Sequence, residues 1–142
     1  MHIQVKKRVE TPSDRLWATV ASGGEVHRWF GEVITSCELT GSGEGAARNC
    51  TMANGALLEE RILEIDHSAR RFRYAIDTHP LPAQNVIATV TIASIPGGGS
   101  EVTWAADYQA APEHEPLVRK TLEDLYTQGI RSLEAFHATA KA

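Results

Sequence analysis

Between residues 3 and 9, Ile3, Val5 and Val9 alternate with Gln4, Lys6 and Arg8, the period-two pattern of a half-buried β-strand. The pattern breaks at "TPSD". Thr11 can cap a helix, Pro12 suits its first position and Asp14 falls three residues after the cap, which predicts a short helix carrying Leu16, Trp17 and Val20. After Gly23 and Gly24 a second short helix is expected around Val26 to Phe30. From residue 33 onward, strand-sized runs follow at 33–40, 46–53, 56–66, 70–77, 84–95 and 101–109. They are separated by "GSGEG", "NG", "DHSA", "THPLPA" and "PGGGS". These separators supply the positive φ, fixed φ or local capping that turns require. Six strands in series predict an antiparallel meander. Its covered face is marked by Val33, Cys37 and Leu39, then Phe72, Tyr74 and Ile76, then Val86, Ala88, Val90 and Ile92, then Val102, Trp104, Ala106 and Tyr108.

From about Glu115 to His137 the period changes. Val118, Leu122, Leu125, Gly129, Ile130, Leu133 and Phe136 form one stripe at helical spacing, with charges opposite. About 23 residues at ~1.5 Å each give ~35 Å, enough to cross a curved sheet. Gly129 inside this helix costs about 1 kcal/mol relative to Ala. Two explanations stand: close packing against a strand, or room left for a ligand.

The charges of "ALLEERILEID", residues 56 to 66, test the pairing of the third and fourth strands. A two-residue "NG" hairpin places Arg48 opposite Arg61, like against like. A three-residue "ANG" loop, with Gly55 as its left-handed residue, instead places Met52 opposite Ala56, Cys50 opposite Leu58 and Arg48 opposite Glu60. The second register sorts polarity better and is the expected one. It sends Glu59 and Arg61 to solvent and Glu60 inward. It also leaves Leu63 and Ile65 outside unless the strand bulges near Glu64.

Composition narrows the function classes. The chain has 142 residues, 42% hydrophobic and 23% charged, which fits one domain over 1–142 with a sizeable core. A net charge of −4, with only the short basic runs "KKR" and "RRFR", argues against a nucleic-acid footprint, and these runs read as solvated strand faces. No apolar run is long enough to span a bilayer, and "MHIQVKKRVE" lacks a signal-peptide block, so no membrane association and a cytoplasmic location are expected. Six histidines show no HxH or HExxH spacing, so neither a metal nor another cofactor is expected. Cys37 and Cys50 are too few for a disulfide scaffold and read as buried thiols on neighbouring strands, with no base placed to make either a nucleophile. "GSGEG" precedes a strand and lacks a lysine, so it reads as a hairpin rather than a phosphate loop.

One strand, two short helices, six strands and a long last helix is an element order that resembles the START-like, or SRPBCC, superfamily. The segment "GSGEGAARNCTMANGALLEERILEIDHSARRFRYAI" resembles its bacterial polyketide cyclase/dehydrase-like members. More distantly, "ITSCEL", "EERILEID" and "THPLPAQN" are similar to stretches of the plant abscisic-acid receptors. The resemblance implies an α+β helix-grip fold, in which a curved seven-stranded antiparallel sheet wraps around the long C-terminal helix and encloses a cavity. It also implies that Glu60 lines that cavity and that loops at Ala53 to Ala56 and His79 to Ala83 close over a ligand. The first loop is short and lacks the receptors' gate residues, so a signalling role does not follow. Members include hormone and lipid binders, aromatase/cyclases and chaperone co-factors, so fold alone leaves function open.

A carboxylate facing a cavity is costly to desolvate unless paired, and Arg48 is the expected partner. The pair reads as a structural bridge, as an anchor for a ligand's polar group, or as an acid/base with Glu60 the best catalytic candidate. Tyr74 and Trp104, beside the small Ala88 and Ala106, are the aromatics expected at the cavity wall. The remaining expected ligand-binding residues are Thr35, Cys37, Cys50, Met52, Ile76, Ala88, Val90, Leu125 and Gly129. The expected partner is a small hydrophobic or aromatic molecule, with cyclase, dehydrase or hydrolase chemistry as the alternative and a homodimer left open.

Overall fold

The structure, a computed structural model, describes residues 1–141, so Ala142 of the expected domain lies outside the described residues. The elements run in chain order as β1 (His2–Val9), α1 (Ser13–Ala21), α2 (Val26–Trp29), β2 (Ile34–Thr40), β3 (Ala47–Met52), β4 (Leu57–Asp66), β5 (Arg71–Thr78), β6 (Gln84–Ser94), β7 (Ser100–Gln109) and α3 (Glu115–Lys141). The strands form one antiparallel sheet in the order β1-β7-β6-β5-β4-β3-β2, curved around α3 as a helix-grip fold. The meander arises because each turn is short, and β1 closes the far edge by pairing with β7. Among the described residues no helix is long and apolar enough to cross a membrane.

Register aligns the apolar positions into rows across the concave face. Ile62, Tyr74, Ala88, Ala106 and Ile3 face one another from β4 to β1, and Phe72, Val90 and Trp104 make a second row. α3 covers these rows with Val118, Leu122, Tyr126, Ile130 and Leu133, all buried. The stripe differs from expectation at two points. Phe136 is 38% exposed whereas His137 is buried, because the helix turns the Tyr126 side inward and His137 Nε2 meets Thr19 Oγ1 of α1 at 2.8 Å.

Local departures have local causes. α1 begins at Ser13, and Pro12 occupies its cap without a side-chain bond. The expected cap, Thr11, is buried instead, and its carbonyl accepts a hydrogen bond from Ser100 Oγ of β7 at 2.7 Å. In β2 a bulge lies between Ile34 and Ser36. It buries Ile34 and turns Thr35 to solvent, where its hydroxyl donates to the Thr51 carbonyl. In β4 the pairing shifts between Ile62 and Glu64, which carries Ile65 back opposite Phe72 and against the core. Arg71 of "RRFR" pairs with Glu64 and Asp66, and Arg70 with Asp14, all outside the core.

The two cysteines correct the expectation of free thiols. Cys37 and Cys50 lie directly opposite across β2 and β3 and are joined as a disulfide. Such bonds persist in oxidising compartments and are uncommon in the reducing cytosol, so this feature does not support the cytoplasmic expectation.

Gly129 is explained by packing. A Cβ built on it lies 2.4 Å from Cζ3 of Trp104, whose indole stacks on Tyr126 with centroids 4.9 Å apart. Gly129→Ala gains about 1 kcal/mol of helix propensity but drives a methyl into a locked indole, and overpacking costs ~1–3 kcal/mol. The expected outcome is a net loss of about 1 kcal/mol, read from thermal melts. A stabilised variant would mean that Trp104 gives way freely.

Candidate functional site

A cavity of about 290 Å³ lies between the concave face and α3. Its walls are mostly apolar, from Val20, Phe30, Ile34, Phe72, Val86 and Val90 to Leu122, Leu125 and Leu133. Asn54 of the β3–β4 loop and His79, Pro80 and Leu81 of the β5–β6 loop also line it. A space of this size is at the small end of the ~300–1,000 Å³ of ligand pockets.

Arg48 and Glu60 are the charged pair in this wall. The three-residue hairpin brings them together: Gly55 adopts φ +89°, its N–H donates to the Met52 carbonyl at 2.9 Å, and Arg48 faces Glu60. Arg48 Nε donates to Glu60 Oε1 at 2.7 Å, with both side chains buried. Arg48 Nη1 donates to the carbonyl of Gly23 at 3.0 Å. Gly23 lies just past the end of α1, whose last turn holds no basic residue, so Arg48 supplies the cation that a helix C-terminus favours. Gly23 itself takes φ +72°, and an added Cβ lies 2.8 Å from Ile62 Cδ1, so glycine is required there. The guanidinium also lies 4.8 Å from the Tyr74 ring centroid and 5.6 Å from that of Phe72.

Beside the pair stands an aromatic group. Trp104 Nε1 donates to Tyr74 Oη at 3.2 Å, and Tyr126 stacks on Trp104. Burial pushes the Tyr74 hydroxyl above its ordinary range, with the Glu60 charge adding to the effect. Tyr126 is raised for the same first reason, with Tyr74 and Glu60 adding. Both phenols therefore remain protonated donors at neutral pH.

The sequence profile described as polyketide cyclase / dehydrase and lipid transport matches residues 1–136. The chain belongs to this family. No curated protein matches it by sequence. Solved structures with the same fold include an uncharacterised protein from Bacillus thuringiensis, 20% identical with TM-score 0.86, the match covering 96% of this chain and 98% of that one. A protein from Thermobifida fusca is 26% identical at TM-score 0.82, covering 94% and 90%. Norcoclaurine synthase from Thalictrum flavum, in complex with dopamine and hydroxybenzaldehyde, is 14% identical at TM-score 0.82, covering 100% and 88%.

In this polyketide cyclase/dehydrase and lipid transport family member, Arg48, Glu60, Tyr74, Cys50, Met52, Ile76, Val90, Trp104 and Leu125 all line the cavity. Four expected residues do not. Thr35 is turned out by the β2 bulge, and Cys37 is drawn into the disulfide on the edge strand. Ala88 is enclosed within the sheet row, and Gly129 is covered by Trp104. Tyr126, Phe30 and Ile34 were missed. Tyr126 lies four residues beyond Leu122, a spacing that could have flagged it. Among the described residues no group of three His, Cys, Asp or Glu could hold a metal.

Two histidines touch the cavity region. His79 Nδ1 accepts from the Leu81 N–H at 3.1 Å, and His137 bonds Thr19, itself a cavity residue. Burial holds both below the ordinary 6.5, with Arg15 adding to His137. A folded value below the unfolded one means that the unfolded chain binds more protons, so stability is complete above 6.5 and is lost as pH falls through the folded values. Urea midpoints are expected to be flat above neutrality and to decline below 6.5, and His79→Gln/His137→Gln is expected to flatten that decline.

Proposed function

We propose that the protein binds a small, largely apolar or aromatic molecule between the sheet and α3, with Arg48 and Glu60 as its polar anchor. The observation that carries this reading is an aromatic-lined cavity of about 290 Å³ whose wall holds a buried ion pair. Apolar walls with a few convergent polar groups are the usual composition of a small-molecule site. Trp29 and Trp104 both line the cavity, so occupancy is readable from intrinsic fluorescence. Titration with naphthalene is expected to give saturable quenching, and Leu58→Trp, which fills the space from β4, is expected to weaken it. Absence of saturation in the wild type would count against the reading.

Catalysis of cyclase, dehydrase or hydrolase type is a second reading, favoured by one observation. A carboxylate, Glu60, and two protonated phenols, Tyr74 and Tyr126, line one enclosed space. In that case Glu60 acts as acid/base and Tyr74 polarises a carbonyl. Turnover of a discovered substrate unchanged in Glu60→Gln would end this assignment.

A further inference from the structure

Among the described residues, one buried polar atom of the cavity lining has no hydrogen-bond partner. Tyr126 is 1% exposed, lines the cavity, and its hydroxyl has no partner among the described residues. Trp104 Nε1 is engaged on Tyr74, and Arg48 Nε and Nη1 on Glu60 and Gly23. Buried donors are nearly always satisfied because an unmade bond forfeits the solvation that burial removed. The other orphan, His27 Nδ1, belongs to a residue outside the cavity lining.

We propose that Tyr126 is a specificity residue: its hydroxyl donates to a neutral hydroxyl group of the ligand, which in turn donates to the Glu60 carboxylate. The inference rests on the binding reading above and narrows its ligand class. Charge decides between candidate head groups. Arg48 is the only Lys or Arg among the lining residues, and its charge is matched by Glu60 at 2.7 Å. A ligand carboxylate would bring a second anion beside Glu60 into a buried space with no uncommitted cation. A carbonyl could accept from Tyr126 but offers Glu60 nothing. A hydroxyl satisfies both, accepting from one and donating to the other. The flanking walls are the rings of Trp104, Phe72, Tyr74 and Phe30, and the volume is small. The ligand class is thus an uncharged, hydroxyl-bearing molecule of one or two rings.

The test compares 2-naphthol, naphthalene and 2-naphthoate by fluorescence titration of the wild type and Tyr126→Phe at neutral pH. For the wild type, 2-naphthol is expected to bind roughly tenfold more tightly than naphthalene, the value of one or two buried hydrogen bonds, with 2-naphthoate weakest. In Tyr126→Phe the naphthol-to-naphthalene ratio is expected to fall by roughly fivefold. A melting midpoint at or above that of the wild type is expected for this variant, since it removes only an unmet donor. Equal binding of naphthol and naphthalene, tighter binding of naphthoate, or an unchanged ratio in Tyr126→Phe would overturn the hydroxyl site while leaving the cavity reading intact. Failure of all three probes to saturate the wild type would overturn the cavity reading itself.

Discussion

Arg48→Met is expected to destabilise the protein by about 3–5 kcal/mol, because it leaves the Glu60 carboxylate buried without its counter-charge. The same substitution removes the donor to the Gly23 carbonyl and the cation above the Tyr74 ring, so the end of α1 loosens as well. Arg48→Met/Glu60→Leu, which replaces both charges by apolar side chains, is expected to recover most of the loss. Urea denaturation of wild type, both single variants and the double variant forms a cycle that isolates the coupling between the two charges. A double variant more stable than the wild type but unable to bind would mean that the pair is kept for the ligand. A double variant no better than Arg48→Met would mean that the Gly23 bond dominates and that Arg48 is chiefly a clamp on the end of α1.

The register that creates this pair was legible because the wrong alternative opposed Arg48 to Arg61, and a one-residue slip in a strand reverses every side chain. Sign of charge, together with the sorting of Met52, Cys50, Leu58 and Ile62 onto one face, carried that information. Where the sequence offered no such contrast, phase was lost. "TSCE" in β2 is polar enough that nothing marks the bulge at Thr35, and the bulge moved that residue from the expected cavity set to solvent. In α3, Leu125 and Gly129 belong to a stripe adjacent to the one holding Tyr126 and His137, and the two differ by one position per turn. Tertiary contacts, Trp104 against Gly129 and Thr19 against His137, settle which stripe is deepest. The cavity's polar end combines both cases. Glu60 could be read from pairing logic, whereas the unmet Tyr126 hydroxyl depends on the positions of Trp104 and Tyr74 in space.

Reduction of Cys37–Cys50 is expected to cost about 3 kcal/mol of stability, since the bond closes a loop of roughly fifteen residues in the unfolded chain. The 13-residue sequence separation sets the scale of this effect. The location adds a second consequence. β2 is an edge strand that pairs only with β3, so the disulfide fastens the outermost strand to the sheet. After reduction, amide exchange is expected to rise first in Ile34–Thr40, ahead of β5 and β6, which have neighbours on both sides. Cys50 lines the cavity and its β4 neighbour is Leu58, so loosening of this edge reaches the cavity wall through one cross-strand pair. Urea denaturation with and without a phosphine reductant measures the global term. Cys37→Ser/Cys50→Ser is the control, expected to match the reduced wild type and to ignore the reductant. An oxidised protein whose midpoint does not move on reduction would mean that the β2–β3 hairpin is already restrained in the unfolded chain, leaving the bond little entropy to remove.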